Sequence, residues 1–129
     1  MCMEWSSNTK SGVSPDARGS DGRALPAILV VYGGAGEERE ISLLSGRAVL
    51  NGFRSVRGFR VEGLEMDHEL PIEAIQPNRQ VVLPVLHGEF GEDGRFQELL
   101  ESHGMCYAGS DARSSALVMD KARTKRVLE

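Results

Sequence analysis

Two short runs of apolar residues constrain this chain more than anything else in it: Ala27-Ile-Leu-Val-Val-Tyr32 and Val81-Val-Leu-Pro-Val-Leu86. Neither has a polar face. Each stops abruptly at a glycine-bearing loop, Gly33-Gly34-Ala35-Gly36 after the first and His87-Gly88 after the second. Strands that are apolar on both sides of the pleat are covered on both faces, as in a parallel sheet flanked by helices. His87 then stands at the C-terminal end of a buried strand. Open parallel sheets gather their ligands at that end, so a titratable side chain there is a candidate functional group. A locally hydrogen-bonded loop histidine is the plainer alternative.

The rest of the pattern supplies the helices. A helix is expected from about Glu38 to Asn51, where Ile41, Leu44, Ala48 and Val49 share a face, with Gly52 as its stop. Phe59 to Leu64 alternates weakly as a strand, Pro71 to Ile75 is a short helical candidate, and Gln80 to Leu86 is the strong strand. Phe96, Leu99, Leu100 and His103 recur at helical spacing, with Asp93 as N-cap and Gly104 as C-terminal stop. Met105 to Tyr107 reads as a fourth strand. Ala112 to Glu129, capped by Ser110 or Asp111, reads as one last helix rich in Ala, Met, Leu, Lys and Arg. This order predicts an α/β fold, a Rossmann-like parallel sheet flanked by helices, with right-handed crossovers. The domain is expected over residues 25–129. Residues 1–24 contain no Ile, Leu or Phe and eight Ser and Gly, too little apolar surface for a core, and are expected to form a disordered leader.

A formal net charge of -4 argues against nucleic acid or an anionic membrane as a general partner. No stretch approaches the roughly 18 apolar residues of a membrane span, and the N-terminus lacks the apolar core of a secretory signal. Two cysteines, Cys2 and Cys106, make no disulfide framework, which points to a reducing compartment and a cytoplasmic location. Cys106, in an apolar stretch, reads as a small core residue rather than a nucleophile.

The loops narrow the chemistry. Gly34 to Arg39 matches the dinucleotide pattern G-x-G-x-x-G at only two of three glycines. The loop then continues Glu37-Glu38-Arg39-Glu40, and three carboxylates beside a pyrophosphate would repel it more than one arginine could offset. An acidic loop suits a cationic ligand: one carboxylate would leave the helix face to hold an ammonium group, with Gly34 and Gly36 letting backbone approach the ligand. The others would complement the helix dipole. His87, Glu89, Glu92 and Asp93 offer a single imidazole and no familiar zinc spacing, so no metal site is expected in this chain. Lys121, Arg123, Lys125 and Arg126 form the basic concentration, for the most part a solvated helix face.

Three segments together resemble one family, the D-alanine–D-alanine ligases of bacterial cell-wall synthesis, which are ATP-grasp enzymes. They are Gly33-Gly34-Ala-Gly-Glu-Glu38-Arg39-Glu40-Ile-Ser42-Leu-Leu-Ser45-Gly46, then Leu86-His87-Gly88-Glu-Phe-Gly91-Glu92-Asp93-Gly94, then Tyr107-Ala-Gly109-Ser110 running to Ser115-Ala-Leu-Val-Met119-Asp120-Lys121. The resemblance is to the N-terminal domain only, the one preceding the ATP-grasp domains. It implies that Glu38 holds the amino group of the first D-alanine and that His87 helps to position substrate, the two catalytic candidates. Gly34, Ser45 and Gly88 complete the implied substrate site, and Lys121 is the implied contact to ATP phosphate.

The family reaction phosphorylates the carboxylate of one D-alanine with ATP and Mg2+, after which the amine of a second attacks the acylphosphate. The resemblance therefore implies ATP and Mg2+ for the complete enzyme, D-alanine as ligand, and a homodimer as one assembly. It also implies that the ATP-grasp domains, which carry most of the nucleotide site and the magnesium carboxylates, must be supplied in cis or as a separate chain, and that this chain alone is inactive. Two other classes compete with this reading. One is a free-standing small-ligand binding or regulatory module that kept the fold without the catalysis. The other is a nucleotide-binding oxidoreductase domain, disfavoured by the acidic first loop.

Overall fold

The computed structural model describes residues 20, 22 and 26–129, apart from 57, 70, 78 and 79. Apart from residues 20 and 22, the leader expected over residues 1–24 lies outside the described residues. The chain forms β1 (Ala27–Gly33), α1 (Arg39–Phe53), β2 (Val61–Met66), a 3-10 turn (Ile72–Ala74), β3 (Gln80–Pro84), α2 (Arg95–Ser102), β4 (Cys106–Tyr107), α3 (Ala112–Met119) and α4 (Lys121–Leu128).

The strands make one sheet in the order β2-β1-β3-β4, with every neighbouring pair parallel. The two apolar runs lie at its centre, where Ile28 of β1 stands in register with Val61 on one side and Val81 on the other. Alternation along β1 divides the molecule into layers. Leu29 and Val31 point to one face, where they join Val82, Phe96 and Leu100 in the main core. Tyr32 points to the other, against Gly46 of α1. Val30, Val31, Val82, Phe96 and Leu100 are the anchors of the fold, each fully buried. At about 1.5–3 kcal/mol per buried side chain, the five contribute about 8–15 kcal/mol to its gross driving force.

From β1 the chain crosses to β2 on one side, and β3 and β4 extend the sheet on the other. The C-terminal ends of β1 and β3 therefore flank a topological switch point, the place where open α/β sheets leave a crevice.

Four local expectations are corrected. Gly52 does not stop α1, which runs through it to Phe53; a glycine terminates a helix by adopting left-handed backbone, and Gly52 keeps φ negative. Asp93 is not the N-cap of α2: Gly94 holds that position with φ +92°, while the Asp93 carboxylate accepts hydrogen bonds from the Phe90 and Arg95 amides. The last helix is two helices. Asp120 breaks it with extended backbone and caps α4 by accepting from the Arg123 amide at 3.0 Å. Cys106 is exposed, because β4 is a two-residue edge strand.

Candidate functional site

The loop leaving β1 is tied down from three directions. Gly34 N–H donates to the Met66 carbonyl at the end of β2, 2.7 Å away. The Arg39 guanidinium donates to the same carbonyl at 2.6 Å and to Gly34 O at 2.9 Å, and its other nitrogen reaches the carboxylates of Glu65 and Asp67 at 2.9 and 2.8 Å. Ser42, fully buried in α1, accepts from Gly33 N–H at 2.8 Å and donates to Val85 O at 2.5 Å, so one hydroxyl joins the ends of β1 and β3. Gly33 has no room for a side chain. Its φ is +97°, and a Cβ there would lie 2.5 Å from Met66 O and 2.9 Å from Arg39 Nη1.

Glu38 stands at the N-cap position of α1, yet its side chain makes no capping hydrogen bond. The carboxylate lies instead against Gly88 of the loop after β3: a Cβ at Gly88 would be 2.6 Å from Glu38 Oε2. Gly88 has φ +72°, so two independent reasons exclude a side chain there. His87, the preceding residue, brings Nε2 within 3.1 Å of Ser45 Oγ on α1. Glu38, Ser45, His87 and Gly88 thus meet where the first turns of α1 face the end of β3.

A cavity of about 240 Å³ opens between the same two loops, lined on one side by Gly33–Gly36 and on the other by Leu86, His87 and Phe90, with Met66, His68 and Arg95 at its edges. Glu38, Ser45 and Gly88 do not line it. The acidic residues after His87 are spent on the loop itself. Glu92 accepts from Gly88 N–H at 2.9 Å. Asp93 accepts from Phe90 N–H at 2.9 Å and pairs with Arg95 at 2.6 Å, holding Phe90 at φ +70°. Partial burial pushes the Asp93 carboxyl up, but the hydrogen bonds from Arg95 and the Phe90 amide outweigh it and hold the group below the usual carboxylate range.

Known proteins resemble this chain in sequence and in fold. A family model described as the D-ala D-ala ligase N-terminus matches residues 62–110. A D-alanine--D-alanine ligase of Aquifex aeolicus is 42% identical over 102 residues, covering 79% of this chain and 35% of the relative. One of Saccharophagus degradans is 45% identical over 106 residues, covering 81% of this chain and 33% of the relative. The structure of a D-alanine--D-alanine ligase from Bacillus anthracis complexed with ATP superposes with TM-score 0.71 at 28% identity, covering 82% of this chain and 35% of that one. The described residues are similar in sequence and fold to the N-terminal part of D-alanine–D-alanine ligases. A further ligase structure, from Aeromonas hydrophila, gives TM-score 0.69 at 28% identity, over 81% of this chain and 46% of that one. The chain spans about a third of the length of the curated relatives named here.

Of the residues that the ligase resemblance singled out, Glu38, Ser45, His87 and Gly88 are brought together, and Gly34 lies in the neighbouring cavity wall. Lys121 is not joined to them: it opens α4, is exposed, and makes no ion pair among the described residues. Arg39 and Ser42 are the residues whose part sequence reasoning missed. Both lie inside the ligase-like segment, but their hydrogen-bond partners, Met66, Glu65, Asp67 and Val85, are distant in sequence.

Proposed function

We propose that this chain provides the amino-acid-binding part of a cytoplasmic, ATP-dependent D-alanine–D-alanine ligase serving peptidoglycan synthesis. The observation that carries the reading is the Glu38 carboxylate, unpaired among the described residues and set against Gly88 beside the His87–Ser45 contact. A carboxylate with no cation of its own is a seat for an ammonium group. Glu38 would hold the amine of the first D-alanine, His87 would orient the substrate with its ring fixed by Ser45, and Gly34 and Gly88 would leave room for ligand to approach backbone. One charge-assisted contact contributes about 1.5–3 kcal/mol. The binding of D-alanine to this chain is therefore expected in the millimolar range or weaker.

Among the described residues, no three His, Cys, Asp or Glu are grouped to hold a metal ion. Lys121 is a single exposed ammonium, able to reach toward phosphate but not to enclose it. ATP and Mg2+ would be held chiefly by ATP-grasp domains, supplied in cis or as a separate chain. The free-standing module is not favoured, because the relatives named above are ligases. The test is dipeptide formation from D-alanine, ATP and Mg2+, assayed with the purified chain alone and with separately produced ATP-grasp domains. The proposal expects no product from the first and D-alanyl-D-alanine from the second. Product from the chain alone, or from neither, would contradict it.

A further inference from the structure

The proposed ammonium seat contains a puzzle: Arg39 directly follows Glu38, and a guanidinium so close would ordinarily neutralise the carboxylate that must stay free. The structure shows where that guanidinium goes. One nitrogen is taken by the Met66 and Gly34 carbonyls at 2.6 and 2.9 Å, the other by Glu65 and Asp67 at 2.9 and 2.8 Å. Two carboxylates and two carbonyls hold it on the β2 side of the loop, while Glu38 turns toward Gly88 on the β3 side.

We infer that Arg39 is a positioning residue for Glu38. Its clamp to the end of β2 fixes the rotation of the first turn of α1, which aims the Glu38 carboxylate at Gly88. Glu65 and Asp67 in turn keep the Arg39 cation from occupying the ammonium seat. The planar, five-donor guanidinium is needed for this, because a lysine ammonium is a point charge that cannot span carbonyls and carboxylates in a fixed fork. This inference rests on the proposed role of Glu38 in holding an amine.

The experiment uses the isotopically labelled 129-residue chain, compared with Arg39→Lys, Arg39→Ala and Glu65→Gln/Asp67→Asn. The first readout needs no ligand: the nuclear Overhauser contact between the Glu38 γ-protons and the Gly88 α-protons. It should be present in the parent, weakened several-fold in Arg39→Ala, and only partly restored by Arg39→Lys. The second readout is titration with D-alanine, with N-acetyl-D-alanine, which lacks the ammonium, as control. Misplacement of the carboxylate by a fraction of an ångström in Arg39→Ala, and a freed Arg39 cation competing for that carboxylate in the double variant, each predict about tenfold weaker D-alanine binding.

A folded Arg39→Ala or Arg39→Lys chain that keeps the full Glu38–Gly88 contact overturns the inference. So does a double variant that binds D-alanine as the parent does. If the contact responds as expected but the parent shows no preference for D-alanine over its acetylated form, the positioning role stands and the ammonium-binding reading falls. Should Arg39→Ala fail to fold, Arg39→Lys carries the first readout, and the double variant, which keeps Arg39 and its carbonyl contacts, carries the second.

Discussion

Gly46 and Gly52 lie in the same helix and should respond oppositely to alanine. Gly46 is buried where α1 crosses β1. A Cβ there would press on Tyr32 Cγ and lie 2.5 Å from Tyr32 Cβ and 2.7 Å from Cδ2. Carbon atoms settle at about 3.5–4.0 Å, so the shortfall is about 1 Å. The atoms met are the root of a side chain on the central strand, which cannot withdraw, so the helix must lift. Overpacking costs about 1–3 kcal/mol, and a root contact belongs at the upper end, about 3 kcal/mol. Alanine returns about 1 kcal/mol through helix propensity. The net expectation for Gly46→Ala is a loss of about 2 kcal/mol, roughly 8–16 °C in Tm for a domain of this size.

Gly52 is exposed, keeps helical backbone, and has nothing within 4 Å of an added Cβ. Only propensity acts there, tempered by its place near the helix end, so Gly52→Ala should gain about 0.5 kcal/mol. Urea denaturation of the parent and both variants, with slopes checked for equality, measures the two changes directly. A Gly46→Ala chain as stable as the parent would refute the close helix–strand contact, and a destabilised Gly52→Ala chain would refute the open surroundings of Gly52.

Other consequences follow from the same geometry. Gly88→Ala should cost about 1–2 kcal/mol for its left-handed backbone and displace the Glu38 carboxylate, so a urea midpoint and a D-alanine titration should both fall. Asp93 has its carboxyl held below the usual range, so the stability it contributes is present above its ordinary pKa of 3.8 and is lost as pH falls through the lower folded value; the Phe90 and Arg95 amide resonances should titrate there. Tyr107 behaves in the reverse sense. Its hydroxyl, partly buried and donating to Glu101, is pushed up to about 12. The stability it contributes is complete below pH 10 and lost between about 10 and 12, and Glu101→Gln should move the phenolate absorbance transition to lower pH.

What could be read in the sequence was whatever depends on neighbours in the chain. β1 and β3 lie within a few residues of their expected ends because apolar runs closed by glycine loops define a buried strand locally. β2 begins at Val61 rather than Phe59, because its weaker alternation leaves register to be set by pairing with β1. His87 marks itself as a candidate by standing at a strand end, whereas the acidic helix start points only to one of three carboxylates, and the ligase resemblance singles out Glu38. The clamp of Arg39 and the buried bridge of Ser42 were not, since each is defined by carbonyls or carboxylates tens of residues away. The break at Asp120 was legible in principle: an Asp with an amide to cap three residues on is an N-cap, but the helix formers on both sides concealed it.

The most direct test of the central claim is a titration of the labelled chain with D-alanine, followed at the amides of Gly34, His87 and Gly88, beside the same titration of Glu38→Gln and a control with N-acetyl-D-alanine. The account predicts saturable shifts at those three residues for D-alanine in the parent alone, in the millimolar range or weaker. Equal shifts from the acetylated compound, or an unchanged curve in Glu38→Gln, would contradict the assignment of Glu38 as the seat of an amino group.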